Sequence, residues 1–284
     1  MPPSIRSICF AYSPCPNDTF GFHALARGIV RAEGFAVRPT LADVETLNQE
    51  ARNGRYEMTK LSFAALGHLL DRYALLRSGA ALGRGCGPLI VARPGFDPAR
   101  LGEIPVAIPG DRTTAALLLG LYRGGPGRTV AMPFDRIMPA VAEGRFEAGV
   151  VIHEGRFTFG AYGLSQLVDL GRWWEAETGL PIPLGGIAVR RDLGPETAAV
   201  LEKAVRESVA HAFAHPEASA DYVRAHAQEM EPDVIRRHID LYVNDFSLDL
   251  GADGEAAVAG LFDRARAAGL LPSFSPLEFA EIMV

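Results

Sequence analysis

PIPLGGIAVRRDLG (residues 181–194) has the same form as GPLIVARPG (residues 87–95). In each, proline and glycine lead into a short apolar run that ends on arginine. Runs of this length, rich in Ile, Val and Leu and bounded by Gly and Pro, read as buried strands. Before the first and between the two, short apolar runs alternate with helical patterns, which points to βαβ units and mainly parallel sheets. Two matching strands that flank one such block predict a chain that leaves one lobe and later returns to it. Placed side by side, they would form the crossings. Lobe one then holds residues 1–92 and 188–284, lobe two holds residues 93–187, and a ligand cleft lies between them.

Reading outward, IRSICFAY (5–12) is a strand that ends at SPCPND, with a helix from Asp18 to Arg27 after it. FAVRPTLA (35–42) is a strand, and DVETLNQEARNG a helix capped by Asp43 and stopped near Gly54. EMTKLSF (57–63) runs into a short helix, and RYALLRSG (72–79) reads as another strand. In the middle block, IPVAIPG, RTVAMPF, EAGVVIHE and QLVDLG are strands. TTAALLLGLYRGG, DRIMPAVAEGRF and RWWEAETG are helices, the second interrupted by Pro139. From residue 195 the pattern is helical, over 195–214, 217–228, 231–243 and 252–268. The apolar tail LPSFSPLEFAEIMV is expected to pack back on the body, within the same chain or in a homodimer.

Composition narrows the function. With 48% hydrophobic and 22% charged residues the chain can bury a real core. A net charge of -6 and no basic run argue against a nucleic-acid partner. No stretch has the length of a membrane span without a charge or a Gly/Pro break, and MPPSIRSICFAYSPCP is not a secretory signal. Cys9, Cys15 and Cys86 are odd in number and share no metal-ligand spacing, as expected of reduced thiols in the cytoplasm.

In an open α/β sheet ligands bind beyond the carboxyl ends of the strands. Three strand-to-helix junctions there are polar: SPCPNDTF with Ser13, Asn17, Asp18 and Thr19; TKLSFAA with Lys60 and Ser62; PGDRTTAA with Thr113 and Thr114. Free N–H groups at helix N-termini suit an anion, although the same residue types also serve as plain helix caps. A fourth junction, VVIHEGRF, sets His153 directly after an apolar run. Imidazole, with an ordinary pKa of about 6.5, accepts protons near neutrality. That position suits a base with Glu154 and Arg156 beside it, and equally a capping or core histidine. His23 and His68 lie on apolar helices, and His211, His215, His226 and His238 lie in the helical tail without ligand spacing. HEGRF lacks the second histidine of a zinc-protease helix, and no dinucleotide fingerprint, P-loop or nucleophile elbow is present. Trp173 and Trp174 suit either the wall of a ring-shaped pocket or one buried and one edge residue. GLPIPLGG after them suits a loop that closes over the cleft.

SPCPNDTF, DVETLN, TKLSFAA, RSGAALGRGCGPL, PGDRTTA, VIHEGRFTF, the WWE–TGLP–PLGG stretch and YVNDFSLDLG together resemble the 1,4-dihydroxy-6-naphthoate synthase family, from about residue 6 to about residue 270. The resemblance implies a two-lobed fold like that of type II periplasmic binding proteins. It also implies a carboxylated small-molecule substrate, cyclic dehypoxanthine futalosine, cleaved by a lyase in menaquinone biosynthesis with no metal or organic cofactor. It assigns the general base to His153 and substrate contacts to Ser62, Thr113, Thr114 and Asn48, with the helix N-terminus from Asn17 to Thr19 as a further candidate; Lys60 is added as a substrate contact from its place at the TKLSFAA junction. A chorismate dehydratase of the same pathway and a non-catalytic solute-binding protein share the fold. DVETLN and VIHEGRF favour the synthase over the dehydratase. The absence of an export signal and a histidine at a strand end argue against the binding protein.

Overall fold

A computed structural model describes residues 6–227 and 231–272. The chain opens with β1 (Arg6–Tyr12), α1 (Pro16–Ala26), β2 (Phe35–Leu41), α2 (Val44–Ala51), β3 (Met58–Ser62), α3 (Phe63–Gly67), β4 (Tyr73–Leu75) and β5 (Ala81–Gly83). The middle block runs through β6 (Leu89–Ala92), β7 (Val106–Ile108), α4 (Thr114–Tyr122), β8 (Thr129–Ala131) and α5 (Phe134–Ala142). It continues through β9 (Ala148–Val151), the single turn α6 (Gly155–Thr158), β10 (Ser165–Asp169) and α7 (Leu170–Thr178). After β11 (Ile182–Arg190) come α8 (Pro195–Ala214), α9 (Ala220–His226), α10 (Pro232–Tyr242), α11 (Asp245–Leu248) and α12 (Gly251–Ala267). Nearly all of the apolar tail lies outside the described residues.

Two sheets form. One has the order β2-β1-β3-β11-β4, with β5 also on β11; the other has the order β10-β6-β9-β7-β8. In the first, β1 lies parallel to β2 and β3, while β11 is antiparallel to β3, β4 and β5. In the second, β7 lies parallel to β8 and β9, while β6 is antiparallel to β9 and β10. The sheets are therefore mixed but mainly parallel in direction, because in each only the strand that follows a crossing, β11 or β6, runs against the rest.

The two matched sequences occupy the same place in different sheets. β11 follows β2-β1-β3 as β6 follows β8-β7-β9. They do not pair with each other, so the expectation of side-by-side crossings is corrected. Leu89–Ala92 belongs to the second sheet and all of Ile182–Arg190 to the first. The chain passes between sheets over residues 84–88 and 179–181, ahead of the expected positions 92 and 188. Those two passages and the start of α7 pack tightly. A Cβ on Gly87, whose φ is 119°, would lie 3.0 Å from Ile182 Cδ1, and one on Gly171 would lie 1.8 Å from the Cys86 carbonyl oxygen. Only glycine permits that approach.

Burial follows the sequence pattern. Ile8, Phe10, Met58 and Val189 on one face of the first sheet pack with Phe22 and Leu25 of α1 and Leu201, Val205 and Val209 of α8. On the other face a larger cluster joins Leu61, Phe63 and Leu75 to Ile90, Val106 and Val150 of the second sheet and to Leu261 and Phe262 of α12. α4 is apolar nearly all round, as a core helix must be. It packs among α3, α7 and α12. No helix among the described residues is long and apolar enough to cross a membrane.

Candidate active site

A cleft of about 680 Å³, counting its open mouth, lies between the sheets. Its walls come from the ends of β1 and β3 on one side and of β7 and β9 on the other, as open α/β sheets dictate. The paired topology makes the junctions correspond: β1–α1 with β7–α4, and β3–α3 with β9–α6. Ser62 and His153 thus come from equivalent junctions of the two halves, and both line the cleft.

At the first junction Pro16 opens α1 with its φ already set for a helix. Asn17 and Asp18 line the cleft. Thr19 does not. It is fully buried, and its hydroxyl donates to the Cys15 carbonyl at 3.0 Å, so the expectation that it contacts ligand is corrected. Asp18 accepts from Ser13 Oγ at 2.7 Å, Asn17 Nδ2 at 2.8 Å and Lys60 Nζ at 2.8 Å. Lys60 and Asp18 form an ion pair with both side chains under 10% exposed. Lys60 also approaches the Gly79 carbonyl at 3.4 Å, which leaves one of its three N–H groups for the cleft that it lines.

Ser62 and Asn48 hold each other. Ser62 N donates to Asn48 Oδ1 at 3.0 Å, and Asn48 Nδ2 donates to Ser62 Oγ at 3.1 Å. Asn48 is fully buried behind the cleft wall, and its Nδ2 lies 3.3 Å from the Arg112 carbonyl of the facing half. Expected as a ligand contact, Asn48 is instead a positioning residue, because protein groups take both ends of its amide.

Thr113 caps α4 in the ordinary way, accepting from Ala116 N at 3.2 Å and donating to the Gly110 carbonyl at 2.8 Å. Thr114 reaches across. Its hydroxyl donates to the Leu184 carbonyl of β11 at 2.6 Å and accepts from Ala64 N of α3 at 3.3 Å. Both threonines line the cleft. Replacing Thr114 with valine keeps the shape but strands a buried carbonyl and a buried N–H. Denaturant unfolding should show a loss of about 1–3 kcal/mol, and unchanged stability would remove the bolting role.

His153 has φ 51°, and among the described residues it is the only non-glycine in the left-handed region. Such backbone in a residue with a Cβ costs energy and clusters at functional sites. The tight turn, closed by Gly155 N to the Ile152 carbonyl at 3.0 Å, ends β9 abruptly. The ring lies among Cys15, with Sγ 3.4 Å from Nδ1, the edge of Phe134 at 5.2 Å, and His238, stacked at 6.1 Å and 19°. Burial pushes the Cys15 thiol up, so it stays protonated near neutrality. Glu154 is not in this cleft, and Arg156 braces the crossing by pairing with Asp169 at 2.6 Å.

The sequence pattern did not single out His238 and Tyr242, yet both line the cleft. The legible signal was their spacing, i and i+4 on α10, which sets them on one helix face. His238 is 1% exposed, and its Nε2 lies 2.9 Å from Asn17 Oδ1. Burial, with a smaller contribution from His153, lowers its pKa from 6.5 to about 3. The groups around it are His153, Asn17 with the Asp18–Lys60 pair behind it, and Tyr242. The unfolded chain takes up this proton near pH 6.5 and the folded chain only near 3, so stability falls as pH drops through that window. In His238→Gln, the melting temperature measured by calorimetry should fall less steeply from pH 6.5 to 3 than in wild type. An equal slope would exclude the contribution.

Trp174 is fully buried, with Nε1 bonded to the Pro181 carbonyl at 3.0 Å, and Trp173 stands edge-on to Tyr122 at 5.5 Å. Neither lines the cleft. The PLGG segment is no lid: it belongs to β11, from which Leu184 and Gly185 form part of the wall.

Known proteins bear out this architecture. The fold class is that of two-lobed periplasmic binding proteins. The alkanesulfonate-binding protein SsuA from Xanthomonas axonopodis pv. citri superimposes with a TM-score of 0.70 at 14% identity, covering 94% of each chain. Within that class the chain belongs to the menaquinone biosynthesis family, whose model matches residues 8–267. A relative from Thermus thermophilus named 1,4-dihydroxy-6-naphtoate synthase is 54% identical over 274 residues, 96% of this chain and 99% of its own. A Streptomyces coelicolor protein of the same name is 50% identical over 278 residues, 96% of this chain and 98% of its own.

Proposed function

We propose that this chain is a 1,4-dihydroxy-6-naphthoate synthase, a carbon–carbon lyase that forms its product from cyclic dehypoxanthine futalosine in the futalosine route. Identity of 50% or more over nearly the whole length to two relatives of that name supports the reading. The observation that carries the chemistry is His153, a strained strand-end histidine in the wall of a cleft that it shares with several polar side chains. Its imidazole takes the proton of a substrate hydroxyl. The freed electron pair closes a C=O bond as the adjoining carbon–carbon bond breaks, and the bonding pair moves into the ring system, which takes a proton back from the imidazolium and becomes an aromatic diol. Asn17, Lys60 and Ser62 are placed to donate to the substrate's oxygens, and Thr113 and Thr114, whose hydrogens go to protein carbonyls, offer a remaining lone pair to a substrate hydroxyl, while the walls limit water. Three free cysteines fit a reducing cytoplasm.

Incubation of the purified protein with cyclic dehypoxanthine futalosine, and separately with chorismate, tests the proposal. A naphthoate chromophore with the first alone is the expected result. Consumption of chorismate would favour the dehydratase, and binding without conversion a solute-binding role.

A further inference from the structure

The proton arrangement around His238 follows from its partners. The Asp18 carboxylate, paired with Lys60 at 2.8 Å, can only accept, so the Asn17 atom 2.8 Å from it is the amide nitrogen. The amide oxygen of Asn17 therefore faces His238. Since that oxygen cannot donate, His238 Nε2 carries the hydrogen in the 2.9 Å contact. A neutral imidazole with Nε2 protonated has a bare lone pair on Nδ1. That atom is buried, and among the described residues it has no hydrogen-bond partner. Buried acceptors without a partner are uncommon, and each calls for an explanation.

We propose that His238 is a substrate-binding residue whose Nδ1 accepts a hydrogen bond from a hydroxyl of the bound molecule. The ring lines the cleft beside His153, where hydroxyl-bearing carbon has to sit if His153 is to act on it. Solvent does not reach Nδ1, so a ligand reaches it as the ring tilts toward the cleft on its Asn17 hydrogen bond. The chemical class selected is an aromatic or alicyclic hydroxyl on a ring-shaped acid, and a ligand with no hydroxyl donor leaves the acceptor unmatched. The two histidines then divide the work: His153 removes a proton, and His238, held in one tautomer, fixes where a hydroxyl lies.

This inference rests on the proposed function for the identity of the ligand, while the tautomer does not depend on it. Ring-labelled protein examined by nitrogen NMR should show His238 with Nε2 protonated and Nδ1 bare. Addition of 1,4-dihydroxy-6-naphthoate under anaerobic conditions should move the Nδ1 signal in the direction of hydrogen bonding. By fluorescence titration, wild type should prefer this diol to 2-naphthoate, which lacks both hydroxyls, by about tenfold. His238→Gln, whose amide nitrogen can still donate to Asn17, should lose that preference while still binding 2-naphthoate. A protonated Nδ1 in the wild-type spectrum would overturn the proposal. So would an unmoved signal with the diol bound, or an undiminished preference in the variant. If wild type fails to turn over cyclic dehypoxanthine futalosine but these shifts and preferences persist, the proposed reaction fails and the role of His238 stands.

Discussion

His153→Asn should lower turnover by about 10²-fold or more while the protein remains folded and still binds substrate. Asparagine is the informative replacement because the backbone there is left-handed. Asn adopts that conformation readily, whereas Ala retains the strain that His153 already bears and loses every polar side-chain atom. His153→Ala thus removes the base and any hydrogen-bond donor together, whereas His153→Asn removes the base and keeps a donor. Steady-state kinetics together with a melting curve separate the two. Near-normal turnover in the asparagine variant would mean that the ring only donates a hydrogen bond, and the base would have to be sought elsewhere in the cleft.

Asp18→Ala should be the most destabilising single change in the cleft wall. It leaves the Lys60 ammonium buried beside Phe22, with the Gly79 carbonyl at 3.4 Å as its remaining acceptor. Removing one partner of a buried pair typically costs about 3–5 kcal/mol, because the other charge stays out of water. The same change releases Ser13 and Asn17, which both donate to this carboxylate. Urea unfolding of Asp18→Ala, Lys60→Met and the double variant forms a double-mutant cycle. The double variant should recover a large part of the loss, since the residual charge goes with Lys60. Strict additivity of the two single effects would show that the pair is not coupled.

Much of this was legible before any coordinates. The strand-to-helix alternation placed every polar junction now in the cleft wall, and the form shared by residues 87–95 and 181–194 announced two halves. What that form could not fix was the partner of each strand. Antiparallel and parallel insertion of an apolar strand look alike in sequence, since both demand burial on two faces. β5 was hidden in a glycine-rich run whose pairing depends on β11 rather than on its own propensity. Asn48 and Thr19 were readable as polar residues at the right junctions, but whether protein groups satisfy such a side chain depends on distant neighbours. His238 was missed for the converse reason. It lies on a helix remote in sequence from the junctions, and only tertiary packing brings α10 against α1.

The position of β11 has a further consequence, for how the chain is made. β3 and β4 do not pair with each other; β11 lies between them and bonds to both. As the polypeptide emerges from the ribosome, β1 to β5 are complete well before β11 exists. Until then β3 presents a bare edge, and β4 and β5 lack the strand on which they are hung. Open edges of this kind invite pairing with other chains. The nascent N-terminal segment is accordingly the stage at which a chaperone has most to do. A chain terminated within the middle block should be found in inclusion bodies rather than as a folded half-molecule.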